Sequence, residues 1–167
     1  ADPRIEAYRD IRERDLVGRQ GLFVAEGQVV LEKLLLSPAY RPLSLLIAAH
    51  RAEALAPLLA QVPEDVPIFT AKRAVVDPVP PLGRVEVVDA IAGFPLHRGI
   101  LAIGRRIDTP DADALLARLP ERATVLMLSA IANHDNMGGL FRNAAAFGTD
   151  AVLLDSDCCD PLYRKAI

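Results

Sequence analysis

From Val125 to Ile131 the chain is apolar apart from Ser129, and this run, together with the residues up to Leu154, constrains the architecture more than any other stretch. A continuous apolar run of that length suits a strand buried on both faces of a parallel sheet. Beyond the loop at 132–137, Gly139–Phe147 has the spacing of a helix, Gly148 is placed to end it, and Ala151–Leu154 is a second apolar strand. Strand, helix and strand in this order make one βαβ unit, whose crossover is expected to be right-handed. Two strands and one helix do not close a core, because each such strand needs neighbours at its edges and helices over its faces. The unit is therefore expected to be incomplete as it stands.

Upstream, residues 4–16 place Ile5, Tyr8, Ile11 and Leu16 among many charges, which fits an amphipathic helix. Leu22–Ala25 reads as a short strand, and after Glu26 and Gly27 the residues Gln28–Leu36 read as a helix. Pro38 and Pro42 are expected to bracket a loop. Leu43–Ala49 then reads as a buried strand, and Arg51–Val62 as a helix disturbed by Pro57, which has no N–H to donate. Val66–Phe69 is a predicted strand, Thr70–Val76 a short helix, Val87–Ile91 another, and Gly99–Gly104 a strand. Strands alternating with helices give an α/β fold. Ile107–Pro120 reads as a connection carrying its own short helix, Asp111–Leu119. The expected organisation is one domain over 1–106, a linker over 107–122 and a second unit over 123–167.

Composition narrows the function classes. With 51% hydrophobic residues the chain has ample material for a packed core. Its apolar stretches fall far short of the roughly 20 residues of a membrane helix. The opening residues Ala1–Glu6 lack the basic flank and apolar run of a signal peptide, so a soluble cytoplasmic protein is expected. Cys158 and Cys159 are adjacent and the only cysteines; they read as reduced bystanders, and no metal site is expected. A net charge of −3 argues against an indiscriminate polyanion binder, although a local basic surface can coexist with it.

The residues with most chemical potential run from Asn133 to Ala144, between the strand and the helix. Glycines at a helix start let a backbone or a ligand approach closely, and the unpaired N–H groups there favour an anion such as phosphate. Asn136 is expected in the loop and Arg142 just inside the helix, both able to face a site beyond the strand's carboxyl end, where open α/β sheets gather ligands. An ordinary tight turn followed by a solvated arginine reads the same residues equally well. A dehydrogenase-like nucleotide binder is a rival, but the loop lacks the G-x-G-x-x-G spacing. His134 and Asp135 are neighbours that could form an acid/base pair or simply occupy the loop. Glu26 either shapes the strand–helix turn beside Gly27 or has a binding role, His97 is either structural or a binding residue, and Arg164 and Lys165 either meet phosphate or are solvated.

Several segments share a pattern. Asn136-x-Gly138-x-x-x-Arg142-Asn143-Ala144-x-x-Phe147-Gly148, directly after an apolar strand, closely resembles the first motif of the SpoU/TrmH RNA 2'-O-ribose methyltransferases of the SPOUT superfamily. Asp160–Ile167 resembles the segment that leads into the next catalytic element of that family. Phe23–Gly27 followed by a helix, and His97–Ala102 before the linker, resemble the start and end of its N-terminal substrate-binding domain.

The resemblance implies a small ribosomal-protein-like α/β domain that holds RNA, followed by the first part of a knotted SPOUT methyltransferase domain. It implies S-adenosyl-L-methionine (AdoMet) as methyl donor, tRNA or rRNA as acceptor, and a homodimer. It places Arg142 and Asn136 at the catalytic site, with Arg142, Asn136, Gly138, Glu26 and His97 toward RNA. The family's second and third motifs, which supply most of the AdoMet pocket, have no counterpart up to Ile167, so the cofactor site is expected beyond it and this stretch alone is expected to be inactive. A non-catalytic RNA-binding or self-associating α/β protein is the alternative.

Overall fold

The computed structural model describes residue 8 and residues 21–71, 75–76, 85–86, 99–107 and 111–167. The chain divides into two compact units, Ala1–Ile107 and Asp108–Ile167.

The first unit is built on β1 (Leu22–Glu26), α1 (Gln28–Leu36), β2 (Tyr40–Ala48), a 3-10 turn (Ala49–Arg51), α2 (Ala52–Leu59), β3 (Ile68–Ala71), β4 (Val75–Val76), β5 (Val85–Glu86) and β6 (Ile100–Arg106). Its main sheet has the order β1-β6-β2-β3. The last strand in sequence thus lies inside the sheet, antiparallel to both β1 and β2, while β3 is parallel to β2. The sequence supplies a strand fit for that place, since Ile100, Leu101, Ala102, Ile103 and Gly104 are all buried. Strands β4 and β5 form a separate antiparallel pair.

Helix α1 starts at Gly27, whose φ of 95° is one that a glycine adopts without a Cβ penalty, and it buries Leu31 and Leu34. One core cluster comprises Tyr8, Leu22, Val24, Leu46, Ala48, Ala71, Leu101 and Ile103. Tyr8 is fully buried, its hydroxyl is 2.7 Å from Ser44 Oγ, and its ring meets Phe69 edge-on. Burial pushes that hydroxyl well above the ordinary phenol range despite the Ser44 bond. Gly104 lies opposite Phe23, and a Cβ on it would stand 2.4 Å from the Phe23 ring.

Three details differ from the sequence expectations. Pro42 lies within β2 rather than in a loop, tolerated because the register slips between Pro42 and Ser44. Such a bulge is where a residue without an N–H fits a ladder. The predicted helix at Thr70–Val76 is absent: Thr70 and Ala71 complete β3 alongside Ile47 and Ala48, and Val75–Val76 is a strand. Pairing with a buried β2 outweighs a weak local helical preference. The helix expected over Arg51–Val62 ends at Leu59, and tighter turns, such as Gln61 N–H to Leu58 and Val62 N–H to Leu59, carry the chain on. The expected helix at Val87–Ile91, residue His97, and all of the predicted first helix except Tyr8 lie outside the described residues.

The second unit contains α3 (Ala112–Leu116), β7 (Val125–Leu128), α4 (His134–Ala146) and β8 (Ala151–Leu154). Helix α3 is capped by Asp111, whose carboxylate accepts from Ala114 N–H at 2.7 Å. β7 and β8 pair in parallel with Val125 opposite Ala151 and Leu128 opposite Leu154. Met137 of α4, Leu128 and Ala166 form the buried cluster, with Leu126, Leu140, Phe141 and Val152 packed against it. Phe147 and Gly148 close the helix, the glycine at φ 68°, as the sequence predicts.

β7 ends at Leu128, earlier than the apolar run suggests, because Ala130 turns the chain with a φ of 54°. Nor is the strand buried on both faces. Leu126 and Leu128 face the α4 core, whereas Met127 is 80% exposed and Val125 39%.

Candidate functional site

Helix α4 begins well before Gly139, the strand-side loop being shorter than the glycines imply. Asn133 is its cap: the side-chain oxygen accepts from Asn136 N–H at 2.9 Å, and its carbonyl accepts from Met137 N–H. Asn136 therefore sits in the first helical turn and not in the loop. Its backbone is held by the cap, and its side chain is exposed. Six residues separate it from Arg142, a rotation of about 600°, so the two side chains leave the helix roughly 120° apart. Among the described residues no hydrogen bond joins them.

Arg142 instead shares a helix face with Gly138, four residues earlier. Its Nη1 donates to the carbonyl of Ala166 at 3.4 Å. Gly138 is buried against that same carbonyl: a Cβ there would lie 2.2 Å from the Ala166 oxygen and 2.9 Å from Arg142 Nη1. The close approach that glycine permits is thus used by the chain itself. The segment carrying Ala166 is folded by local bonds, Asp160 accepting from Leu162 N–H at 2.7 Å and the Tyr163 carbonyl from Ala166 N–H at 2.7 Å. It also reaches the start of α4, where the rings of His134 and Tyr163 stack at 4.1 Å between centroids with a 34° tilt. His134 is engaged with Tyr163, while Asp135 is exposed in the first turn, where a carboxylate complements the helix dipole. Arg164 is half-buried and Lys165 exposed.

Across the carboxyl ends of the parallel strands lies a contact that the sequence did not announce. The Asp155 carboxylate accepts from the Ser129 hydroxyl and from the N–H groups of Ala130 and Asp157. The Ser129 hydroxyl first, then the Ala130 N–H, holds its carboxyl down at about 2. Beside it, Cys158 Sγ accepts from Ile131 N–H and donates to the Leu128 carbonyl. Burial pushes the neighbouring Cys159 thiol up. The only signal for Asp155 in the sequence is a polar residue directly after an apolar strand. Ala166 has no sequence signal, since what it contributes is a backbone carbonyl.

Glu26 is half-buried at the end of β1, opposite Leu101, in the first unit. Among the described residues no group of three or more His, Cys, Asp or Glu side chains could hold a metal ion, and no helix is long and apolar enough to cross a membrane.

Arg142 lies more than two turns into α4 rather than just inside its start, and its exposed guanidinium, held along one edge by a carbonyl, keeps further N–H donors for an anion. No family model matches the chain. A protein of Mycobacterium tuberculosis, an uncharacterized tRNA/rRNA methyltransferase, is 34% identical over 170 residues, which takes in 99% of this chain and 53% of that protein. A 23S rRNA (guanosine-2'-O-)-methyltransferase of Coxiella burnetii is 35% identical over 75 residues, 41% of this chain and 30% of its own length. Among solved structures, a TrmH-family protein from Porphyromonas gingivalis superposes with a TM-score of 0.71 at 20% identity, over 99% of this chain and 56% of that one. An AdoMet-bound rRNA methyltransferase from Sinorhizobium meliloti gives 0.67 at 17% identity over the same shares. The chain spans about half the length of the relatives it matches over its whole extent. The sequence relatives are named as tRNA/rRNA and 23S rRNA methyltransferases, the structural neighbours include TrmH-family and SpoU methyltransferases, and the mixed α/β fold described above is shared with those structures over that half.

Proposed function

We propose that this protein methylates a ribose 2'-hydroxyl of a tRNA or rRNA nucleotide, with AdoMet as methyl donor and Arg142 on the acceptor side of the site. The observation that carries the reading is the Arg142 guanidinium, presented by α4 with one edge on the Ala166 carbonyl. RNA as substrate is supported by the names of the full-span relatives, and the ribose position by the guanosine-2'-O enzymes that match a shorter stretch.

Attack by a ribose hydroxyl needs the oxygen held in line with the methyl carbon, loss of its proton, and stabilisation of the negative charge that builds on it. AdoMet supplies the electrophilic methyl group. Arg142 binds the phosphate next to the reacting ribose and stabilises the developing alkoxide, roles that suit the planar fork of N–H donors of a guanidinium. Because that group carries donors and no acceptor, it is not assigned as the base. Asn136, on another side of the helix from Arg142, is assigned a hydrogen bond to the ribose or to a neighbouring nucleotide. Glu26 and His97 are assigned to RNA contact by the first unit.

The ends of β7 and β8 are closed by the chain's own bonds between Asp155, Ser129, Ala130 and Cys158. With that end of the sheet bonded to itself, we assign residues 1–167 alone no methyl transfer. The protein is further read as cytoplasmic, and as a homodimer in which one self-complementary surface serves twice.

The test is methyl transfer by the full-length gene product to total cellular RNA with labelled AdoMet, followed by nucleoside analysis. Label in 2'-O-methylated nucleosides is expected. Label confined to the bases overturns the ribose assignment, and the absence of any RNA label overturns the activity.

A further inference from the structure

In a helix that presents Arg142 to solvent, Gly138 is the residue one turn before it, and the nearest group on its open side belongs to the backbone. It is the Ala166 carbonyl, which an added Cβ would approach to 2.2 Å. A backbone oxygen cannot yield by rotating a side chain, so any residue other than glycine moves the segment that carries Ala166. The same Cβ would stand 2.9 Å from Arg142 Nη1, the atom that donates to that carbonyl. Glycine, carbonyl and guanidinium thus occupy one small space, each limiting the other two. The far end of the segment is tied to the same helix by the His134–Tyr163 ring stack.

We propose that Gly138 is a positioning residue for Arg142: by lacking a side chain it seats the Ala166 carbonyl on α4, and that carbonyl fixes one edge of the guanidinium so that the remaining N–H donors face the substrate phosphate. The proposal rests on the role given to Arg142 above and assigns Gly138 no contact with RNA. Tyr163 serves the same end by pinning the segment to His134. An arginine swinging free on its flexible stem would lose this preset orientation. Displacements of about 1 Å in a reacting geometry cost on the order of 100-fold in rate.

The test uses the full-length protein and two readouts, one independent of activity. Phenylglyoxal modifies accessible guanidinium groups, and peptide mass mapping follows Arg142 by itself. In Gly138→Ala, modification of Arg142 is expected to speed up several-fold. Single-turnover methyl transfer is expected to fall on the order of 10- to 100-fold, with RNA affinity unchanged. On an Arg142→Lys background, where Nη1 is already gone, Gly138→Ala is expected to add no further loss. Tyr163→Ala should reproduce both effects while Tyr163→Phe, which keeps the ring, behaves as wild type, and this pair carries the test if Gly138→Ala does not fold. Unchanged Arg142 modification in the folded variants, or equal losses on the wild-type and lysine backgrounds, overturns the proposal. A full methyl-transfer rate in Arg142→Ala overturns the functional reading instead, and the modification rates still decide whether Gly138 orients Arg142.

Discussion

The carboxylate of Asp155, just past the end of β8, accepts the hydroxyl of Ser129, just past the end of β7, and so ties the two parallel strands together where the chain leaves the sheet. It also holds Ala130 in its left-handed conformation through the N–H of that residue. The carboxyl is held at about 2, below the 3.8 of an unperturbed aspartate. A depressed folded-state value means that the ionised form stabilises the fold, fully above the unfolded value and progressively less as the pH falls through the folded one. Melting temperature should therefore drop between roughly pH 4 and pH 2, and Asp155→Asn should remove this part of the pH dependence. Identical acid-side slopes in wild type and Asp155→Asn would show that the clasp contributes nothing.

A second prediction concerns the first unit. Gly104 faces Phe23, with the nearest ring atom 2.4 Å from where a Cβ would be. Gly104→Ala should cost about 1–3 kcal/mol through overpacking, and Phe23→Leu should recover part of that loss in the double variant even though it is unfavourable alone. Denaturant unfolding of the four proteins measures the coupling, and strictly additive effects would contradict the contact.

The start of α4 offers a third. Asn133 satisfies the N–H of Asn136, so Asn133→Ala should lower stability by about 1 kcal/mol, while Asn133→Ser or Asn133→Asp should come close to wild type. Because the cap sets where the first turn begins, the alanine variant should also raise amide exchange at Asn136 and Met137. Unchanged protection there would place the helix start elsewhere.

The features legible in the sequence were those written in side-chain pattern. The apolar run before Asn133, the helix closed by Gly148 and the strand at Ala151–Leu154 follow from hydrophobic spacing and turn chemistry, and the structure has them. The strand read at Gly99–Gly104 is there as Ile100–Arg106, but its return between β1 and β2 was not legible, because pairing across so long a separation is set by the whole sheet. Thr70–Val76 misled because neither helix nor strand has a strong local claim there, and pairing with β2 decides. At the site, Arg142 and Gly138 were marked by their motif. Asn136 was misplaced by a few residues because two glycines look like a loop even where an asparagine cap has already started the helix. The partners of Arg142 and Ser129 were hidden, one being a backbone oxygen and the other a single aspartate 26 residues away.

The central claim is that Arg142 acts on the reacting group and not merely on RNA affinity. Arg142→Ala and Arg142→Lys in the full-length protein, assayed by single-turnover methyl transfer at saturating RNA and AdoMet, test it most directly. The account predicts near-abolition of the chemical step in the alanine variant and poor rescue by lysine, which keeps the charge but loses the planar fork. RNA affinity should fall only modestly, since it is spread over many phosphate contacts. A wild-type chemical rate in Arg142→Ala would contradict the account and leave Arg142 a solvated helix residue.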